Sequence, residues 1–487
     1  MNLRLCLLLY LASLKLSAQL LTPGFDPEEY RQLLLISTRI IDSEEFQAGF
    51  AEPAEFKKIY RSPQVGLDNL WELWIHEDKN VAVISIRGTN ASTEGWLLNF
   101  YAAMVPAKGV ISWGEEPEQT RFEYELSDNP DAAVHVGWLV GTAFLYQDMK
   151  PKLDSLYQAG IKDYFITGHS QGGGISYMLT SYLRMAQKRG KLPADIQWKT
   201  YCSAAPKPGN LPFAYSYEAM TQNGWAFNMV NARDWVPEVP FSVQTLDDFN
   251  PTNPFVNVEE ILDQQKFSRR VILKHIYNKL DKPTRKAQQN FEKFLGEMTQ
   301  KLVKETIPGL SVPDYYHSNN YVRTGIQIVM TPDSAYYAKF PYRDSADAFT
   351  HHGLDAYLYL IDRLNTPFYK QNDEQLRGRW LLDQMPGEAL DSSAFAGDWP
   401  YLEFHPESDR VTGYAGCNGF SARYELKRNG FVIGEAMTTG MFCDEENRES
   451  EFLSHLQGHF NYRLEDKRLL LTRNGEQIFT FRAQGSP

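Results

Sequence analysis

A serine in Gly168-His169-Ser170-Gln171-Gly172 has the setting of a nucleophile. The apolar run Tyr164-Phe165-Ile166 leads into it, and a helical pattern follows from Ile175. A G-x-S-x-G between strand and helix is the arrangement of a nucleophile elbow, where the serine sits on a strained turn with its hydroxyl above the sheet. The flanking glycines lack the Cβ atoms that would clash at so tight a turn. The chemistry this points to is serine hydrolysis, an attack on an acyl carbon.

A serine hydroxyl needs a general base, usually a histidine oriented by a buried carboxylate. In an α/β-hydrolase the chain order is Ser, acid, His. Asp234 lies in Asn231-Ala232-Arg233-Asp234-Trp235-Val236-Pro237, directly after a predicted strand, where a sheet-end acid belongs. On position alone it is equally a turn aspartate before a proline segment. His351 and His352 precede the helical pattern Gly353-Leu354-Asp355-Ala356-Tyr357-Leu358, and either can be read as a loop histidine. An oxyanion hole needs backbone N–H donors near the nucleophile. Gln171, one residue past Ser170, supplies one. Thr89 ends the strand-like run Val83-Ile84-Ser85-Ile86-Arg87-Gly88 and offers an N–H and a hydroxyl, or is simply a strand-ending turn.

Taken in order, these segments resemble the fungal-type, or class 3, triacylglycerol lipase family of α/β-hydrolases. Arg87-Gly88-Thr89 is similar to its oxyanion loop, and Val134-His135-Val136-Gly137-Trp138 to the segment opening the helix before the elbow. Gly168 to Gly173 is similar to its elbow, with Gln171 where leucine is more usual. The Asp234 and His352 segments resemble its acid and histidine motifs. The resemblance covers roughly residues 60–365. It implies Ser170 as nucleophile, His352 rather than His351 as base, Asp234 as its orienting acid, and Thr89 and Gln171 as oxyanion donors. It implies acylglycerols or other lipid esters as substrates, with a short-chain esterase or phospholipase as the neighbouring reading, and no cofactor or metal. In another class stands an envelope binding protein on a hydrolase scaffold, against which the intact Ser170, Asp234 and His352 argue.

Two departures stand out. Asp234 and His352 are 118 positions apart, longer than the family usually spans. In the family a lid follows the oxyanion loop, and here that segment carries Trp96, Leu97, Leu98, Phe100, Tyr101, Met104, Val105, Val110, Ile111 and Trp113. It reads as an apolar lid for an acyl chain or lipid surface, or as a helix packed on the core.

The elements that must position these residues are legible in outline. Apolar spacing predicts a helix over 27–44, and residues 135–159 are helical, with Pro151 splitting or kinking the run. Strands are predicted at Val81–Ile86, Asp163–Thr167, Trp198–Ala205 and Trp225–Asn231, and a helix at Gly172–Lys188. Alternating strands and helices imply an α/β fold with a mainly parallel sheet covered by helices. Residues 257–306 are charge-rich and helical, and read as an inserted hairpin broken near Pro283, either a cap over the site or a solvated decoration.

The chain's 487 residues exceed one ordinary core, so two domains are expected, spanning 19–370 and 376–487. A net charge of −12 excludes a basic nucleic-acid surface. It also argues against tight electrostatic docking on anionic membranes, while leaving a transient contact with neutral lipid open. Residues 1–18 have the order of a secretory signal cut after Ala18: Arg4, an apolar run from Leu5, then Leu16-Ser17-Ala18. No later stretch reaches the roughly 18–20 apolar residues of a membrane span. The expectation is an exported protein, periplasmic or extracellular, of unspecified oligomeric state.

After residue 378 short alternating runs separated by Gly, Asn and Asp imply a small, β-rich module. Gly416-Cys417-Asn418-Gly419-Phe420 and Met441-Phe442-Cys443 resemble parts of a META domain, a module found in exported bacterial proteins. In an oxidising compartment Cys417 and Cys443, within one module, could pair, leaving Cys202 as the odd thiol in a strand. The alternative keeps all three reduced and buried, and the bond is the favoured reading.

Overall fold

The computed structural model describes residues 21–484 except 251, 254–256, 342–346, 365–375, 387–389, 391–393, 396–397, 406–407, 428–429, 443–447, 466 and 474–475. The signal segment 1–18 and Cys443 fall outside the described residues. The chain divides into two compact units, Met1–Ile361 and Asp362–Pro487.

The first unit is built on one seven-stranded sheet. Its strands are β1 (Phe56–Arg61), β2 (Trp71–His76), β3 (Val81–Ile86), β4 (Asp163–His169), β5 (Gln197–Ser203), β6 (Ala226–Asn231) and β7 (Ile326–Met330), in that spatial order. β3 to β7 run parallel, and β1 and β2 add an antiparallel edge. β3 to β6 are buried on nearly every residue, so they show no in–out alternation, and β5 and β6 bury polar residues such as Lys199 and Asn228 as well. β7 is the other edge and is mostly exposed. The helices used below are α1 (Pro27–Arg39), α2 (Thr93–Phe100), α3 (Val136–Gln158), α4 (Gln171–Lys188), α5 (Phe267–Glu292) and α6 (Leu354–Leu364). The unit has the α/β-hydrolase plan, with a mostly parallel sheet under helices.

Three predicted elements change. The helix predicted over 27–44 stops at Arg39, because Ser43 caps a separate turn, Glu44–Ala48, by accepting the Phe46 N–H. Pro151 does not split α3. The carbonyl it deprives of a partner belongs to Gln147, and both residues are exposed, so water can satisfy it. Pro283 likewise sits inside the unbroken α5, exposed, with Lys279 exposed one turn earlier. The insertion is therefore not a hairpin. A short helix, Val258–Asp263, leads into α5, which continues through a π-helical turn, Lys293–Met298, into Thr299–Thr306.

That π turn has an identifiable cause. The Leu295 carbonyl accepts hydrogen bonds from the Ala102 and Ala103 N–H groups at 2.9 and 3.1 Å, outside its own helix. Gly296 lies so close that an added Cβ would come within 2.8 Å of the Ala103 Cβ. The insertion is thus stitched to the segment that follows α2.

The second unit is a closed antiparallel sheet. Gly378–Gln384, Tyr401–His405, Arg410–Tyr414, Gly419–Lys427, Gly430–Ile433, Gly458–Glu465, Arg468–Arg473 and Glu476–Ala483 pair in a ring. Closure leaves no ring strand with an unpaired edge. Phe404, Phe431, Phe460, Phe479 and Phe481 fill its core, with Phe452 and Leu456 from the helix Glu449–Leu456. Asn418 explains the Gly-Cys-Asn stretch. Its Oδ1 accepts from the Thr439 hydroxyl and the Met441 N–H, at 2.7 and 2.6 Å. Gly416 has φ +106°, and a Cβ there would strike the Phe395 ring. Cys417 is disulfide-bonded. Cys202 is a buried free thiol in β5.

Candidate active site

Ser170 is the junction between β4 and α4, at φ 61° and ψ −129°. An L-residue enters that region only under strain. The turn holds because its surroundings leave no alternative: the Ser170 N–H bonds the Ser203 carbonyl at 2.9 Å, and the Gly174 N–H bonds the Ser170 carbonyl at 3.1 Å. The glycines answer close packing. A Cβ on Gly168 would lie 2.3 Å from the Gly172 carbonyl carbon, and one on Gly172 would lie 2.2 Å from the Ile86 oxygen. The N-terminus of α4 therefore presents its unsatisfied N–H groups and positive dipole end beside Ser170.

Asp234 follows β6, and His352 precedes α6. His352 Nδ1 lies 2.8 Å from Asp234 Oδ2. A carboxylate can only accept, so Nδ1 carries the hydrogen and Nε2 keeps a lone pair. Asp234 is buried and also accepts from the Tyr357 hydroxyl on Oδ2, at 2.8 Å, and from the Val236 N–H on Oδ1, at 3.0 Å. His351 faces elsewhere, with its Nδ1 2.9 Å from the Tyr336 hydroxyl.

A second histidine chain supports the first. The His169 Nε2–H donates to the His352 carbonyl at 2.7 Å. His169 Nδ1 must then accept from the Ser203 hydroxyl at 3.0 Å, and Ser203 from the Tyr30 hydroxyl at 2.6 Å. Burial, with His352 alongside, pushes the His169 pKa down to about 3. Burial alone does the same to His135, which stacks on Trp138 at 3.7 Å. Both rings are neutral when folded, whereas unfolded histidine titrates near 6.5. Between those values the unfolded chain binds protons that the folded chain refuses. This contribution is complete above pH 6.5 and is lost as pH falls toward 3, at up to about 1.4 kcal/mol per pH unit for each ring. Thermal melts should show the midpoint falling steadily on acidification from pH 6.5 to 4.5, and a flat profile would refute this origin.

Thr89 and Gln171 meet on Asn99, a residue of α2 that sequence reasoning missed. The Trp138 Nε1–H can only donate, and it reaches Asn99 Oδ1 at 3.2 Å. The Gln171 side-chain amide donates to the same oxygen at 3.0 Å and to the Gly95 carbonyl at 2.8 Å. Asn99 Nδ2 is thereby turned to Thr89 Oγ1, at 2.8 Å. Thr89 accepts there, and its own hydrogen is left to point into the cavity. Gln171 is buried in this network, which accounts for a polar residue at a usually apolar position. Asn99→Asp should reverse the Thr89 bond by offering an acceptor. We expect kcat on a soluble ester to fall roughly 10²–10³-fold, the usual cost of one oxyanion donor, with KM little changed. Unchanged kcat would remove the Thr89 hydroxyl from this role.

Ser170, Gln171, Thr89 and His352 open into one cavity of about 1020 Å³. Its wall is mostly apolar, with Trp96, Phe100, Trp235, Phe241, Phe291 and Phe349 prominent. The aromatic segment read as one lid divides. α2 brings Trp96 and Phe100 to the cavity, whereas Ile111 is in the core and Trp113 packs on Phe144 at 4.2 Å. The insertion also divides, because Phe291 at the end of α5 and Leu295 in the π turn line the cavity while the rest of α5 does not.

The class 3 lipase family model matches residues 83–244, and the META domain model matches residues 374–485. The first match includes Thr89, Ser170, Gln171 and Asp234 and ends before His352. No curated protein matches the chain. Among solved structures, a fungal lipase–inhibitor complex is 20% identical, over 44% of this chain and 74% of that one, at a TM-score of 0.33. The Lip2 lipase of Yarrowia lipolytica is 19% identical, over 46% and 79%, at 0.32. The Rhizomucor miehei lipase propeptide complex is 19% identical, over 45% and 65%, at 0.31. Scores this low add nothing to the family matches. Residues 83–244 thus match the class 3 lipases and residues 374–485 the META domain, and these matches support a triacylglycerol lipase-like serine carboxylic ester hydrolase.

Proposed function

We propose that the protein hydrolyses long-chain acylglycerol esters through an acyl-enzyme on Ser170, with His352 and Asp234 completing a triad. The observation that carries this reading is the 2.8 Å bond from His352 Nδ1 to Asp234, which leaves Nε2 its lone pair on a residue that lines the same cavity as Ser170. Ser170 Oγ attacks the ester carbonyl while His352 Nε2 takes its proton. The carbonyl oxygen becomes an oxyanion held by the Gln171 N–H, the Thr89 N–H and the Thr89 hydroxyl. The C–O bond to the alcohol then breaks, and His352 returns the proton to the leaving oxygen. Water, deprotonated by His352, attacks the acyl carbon; the bond to Ser170 Oγ breaks, His352 returns the proton to that oxygen, and the carboxylic acid leaves.

The size and aromatic lining of the cavity suit a long acyl chain. Export through the segment 1–18 belongs to the same proposal, and among the described residues no helix is long and apolar enough to cross a membrane.

Hydrolysis of p-nitrophenyl esters of graded chain length tests the reading. We expect kcat/KM to rise with chain length, and a fluorophosphonate to label the wild type but not Ser170→Ala. Preference for short chains would make the protein a soluble esterase. Turnover and labelling no greater than in Ser170→Ala would sink the reading in favour of a binding protein.

A further inference from the structure

α5 faces the wrong way for a surface helix. Its polar side turns toward the domain body. Lys274, Asp281 and Arg285 are half-buried there, with Arg285 paired to Asp281 and Asp247 and Lys274 paired to Asp263. The opposite side carries Ile272, Ile276 and Leu280, spaced i, i+4, i+8 and exposed by 61%, 50% and 69%. Phe267, at the helix start, is 73% exposed. An amphipathic helix normally buries such a stripe against the core.

Charge follows the same pattern. Lys266 to Lys286 holds eight Lys and Arg residues against one acid, Asp281, in a chain of net charge −12. Lys279, Lys282 and Lys286 are exposed beside the apolar stripe. Exposed apolar residues then continue through Phe294, Met298 and Leu302. They run beside Phe291 and Leu295, which line the cavity, and the exposed Phe100, Phe241 and Phe349 stand around that cavity as well.

We propose that α5 is an interfacial anchor that lays the protein on an anionic lipid surface. Apolar side chains flanked by lysines are the pattern of a helix lying in the plane of a headgroup layer. Charge complementarity selects the partner. The helix is attracted to anionic lipid while the acidic remainder of the chain is repelled, which orients the molecule. A second copy of the chain is a poor occupant, because it would set two strongly cationic helices against each other. The apolar path from α5 to Phe291 then turns the cavity toward the lipid. That last step rests on the hydrolase reading, whereas the anchoring itself does not.

Co-sedimentation of full-length Ser170→Ala with phosphatidylcholine vesicles, with and without phosphatidylglycerol, measures binding without consuming lipid. We expect binding to the mixed vesicles that added salt weakens. K279E/K282E/K286E should lower the partition coefficient by at least about a hundredfold, at about fivefold per lysine lost, with repulsion of the three glutamates added to that. I276E/L280E should lower it through the apolar stripe. In the Ser170 background both variants should hydrolyse a short soluble ester as the wild type does, which shows that the fold is intact. Equal binding to neutral and mixed vesicles, or variants that bind like the wild type, would overturn the proposal. So would a dimer, seen by sedimentation velocity, that I276E/L280E dissolves. Wild-type protein that binds mixed vesicles yet cleaves no ester would leave the anchor standing and remove the hydrolase reading.

Discussion

Ser170→Ala should abolish ester turnover, lowering kcat roughly 10⁴–10⁶-fold, while leaving the folded protein as stable as before. The two halves of this expectation come from different atoms. In the proposed mechanism the hydroxyl is the nucleophile, and the oxyanion donors and cavity left behind supply only residual catalysis. The strain at φ 61° belongs to the Cβ, which alanine keeps. Ser170→Gly separates the two. It should be equally inactive, yet melt at a higher temperature, because glycine enters this region without the ~1–3 kcal/mol that an L-residue costs there. Steady-state kinetics beside calorimetry on both variants reads the outcome. An active Ser170→Ala would move the nucleophile elsewhere. A glycine variant no more stable than alanine would mean that the elbow is relaxed.

Asp234→Asn should cost about 10⁴-fold in kcat with the site geometry preserved. The reason lies in which oxygen receives which donor. The Val236 N–H needs an acceptor at Oδ1, so the asparagine carbonyl stays there. The amide nitrogen then replaces Oδ2, where it meets His352 Nδ1 and the Tyr357 hydroxyl. Tyr357 can rotate its hydrogen away. His352 can avoid a clash of donors only by moving its proton to Nε2, which places N–H where Ser170 needs a lone pair. Tyr357→Phe removes one donor without disturbing the tautomer and should cost far less. Comparable losses in Asp234→Asn and Tyr357→Phe would argue against the tautomer account.

The features legible in the sequence were those carried by neighbours along the chain. The elbow shows itself because strand, glycines and helix are contiguous. Asp234 reads as following a strand and His352 as preceding a helix, 118 positions away, and the fold brings them to 2.8 Å. Asn99 gave no such signal. Its importance comes from Trp138 and Gln171, which reach it across 39 and 72 positions, and such convergence exists only after folding. The sheet edges also went unread. β1 is largely polar and exposed and offers no apolar run, whereas β7, Ile326–Met330, carries a short one that stays mostly exposed at the sheet edge. Pro151 and Pro283 break neither helix, because what a helix proline costs depends on the surroundings of the carbonyl it orphans. At both positions the orphaned carbonyl is on an exposed turn.

The stitch at Leu295 bears on how small a working version of this enzyme can be. The residues matching the family model stop at 244, which invites trimming the insertion to reach a minimal catalytic module. Yet the Leu295 carbonyl is the acceptor for the buried Ala102 and Ala103 N–H groups. Excision would strand the Ala103 N–H, at about 1–3 kcal/mol, and leave the Ala102 N–H only its bond to the Phe100 carbonyl at 2.8 Å, directly beside the helix that carries Asn99. It would also remove two side chains from the cavity wall. The insertion is therefore not modular, and shortening it has to begin at its exposed N-terminal end and stop before Phe291.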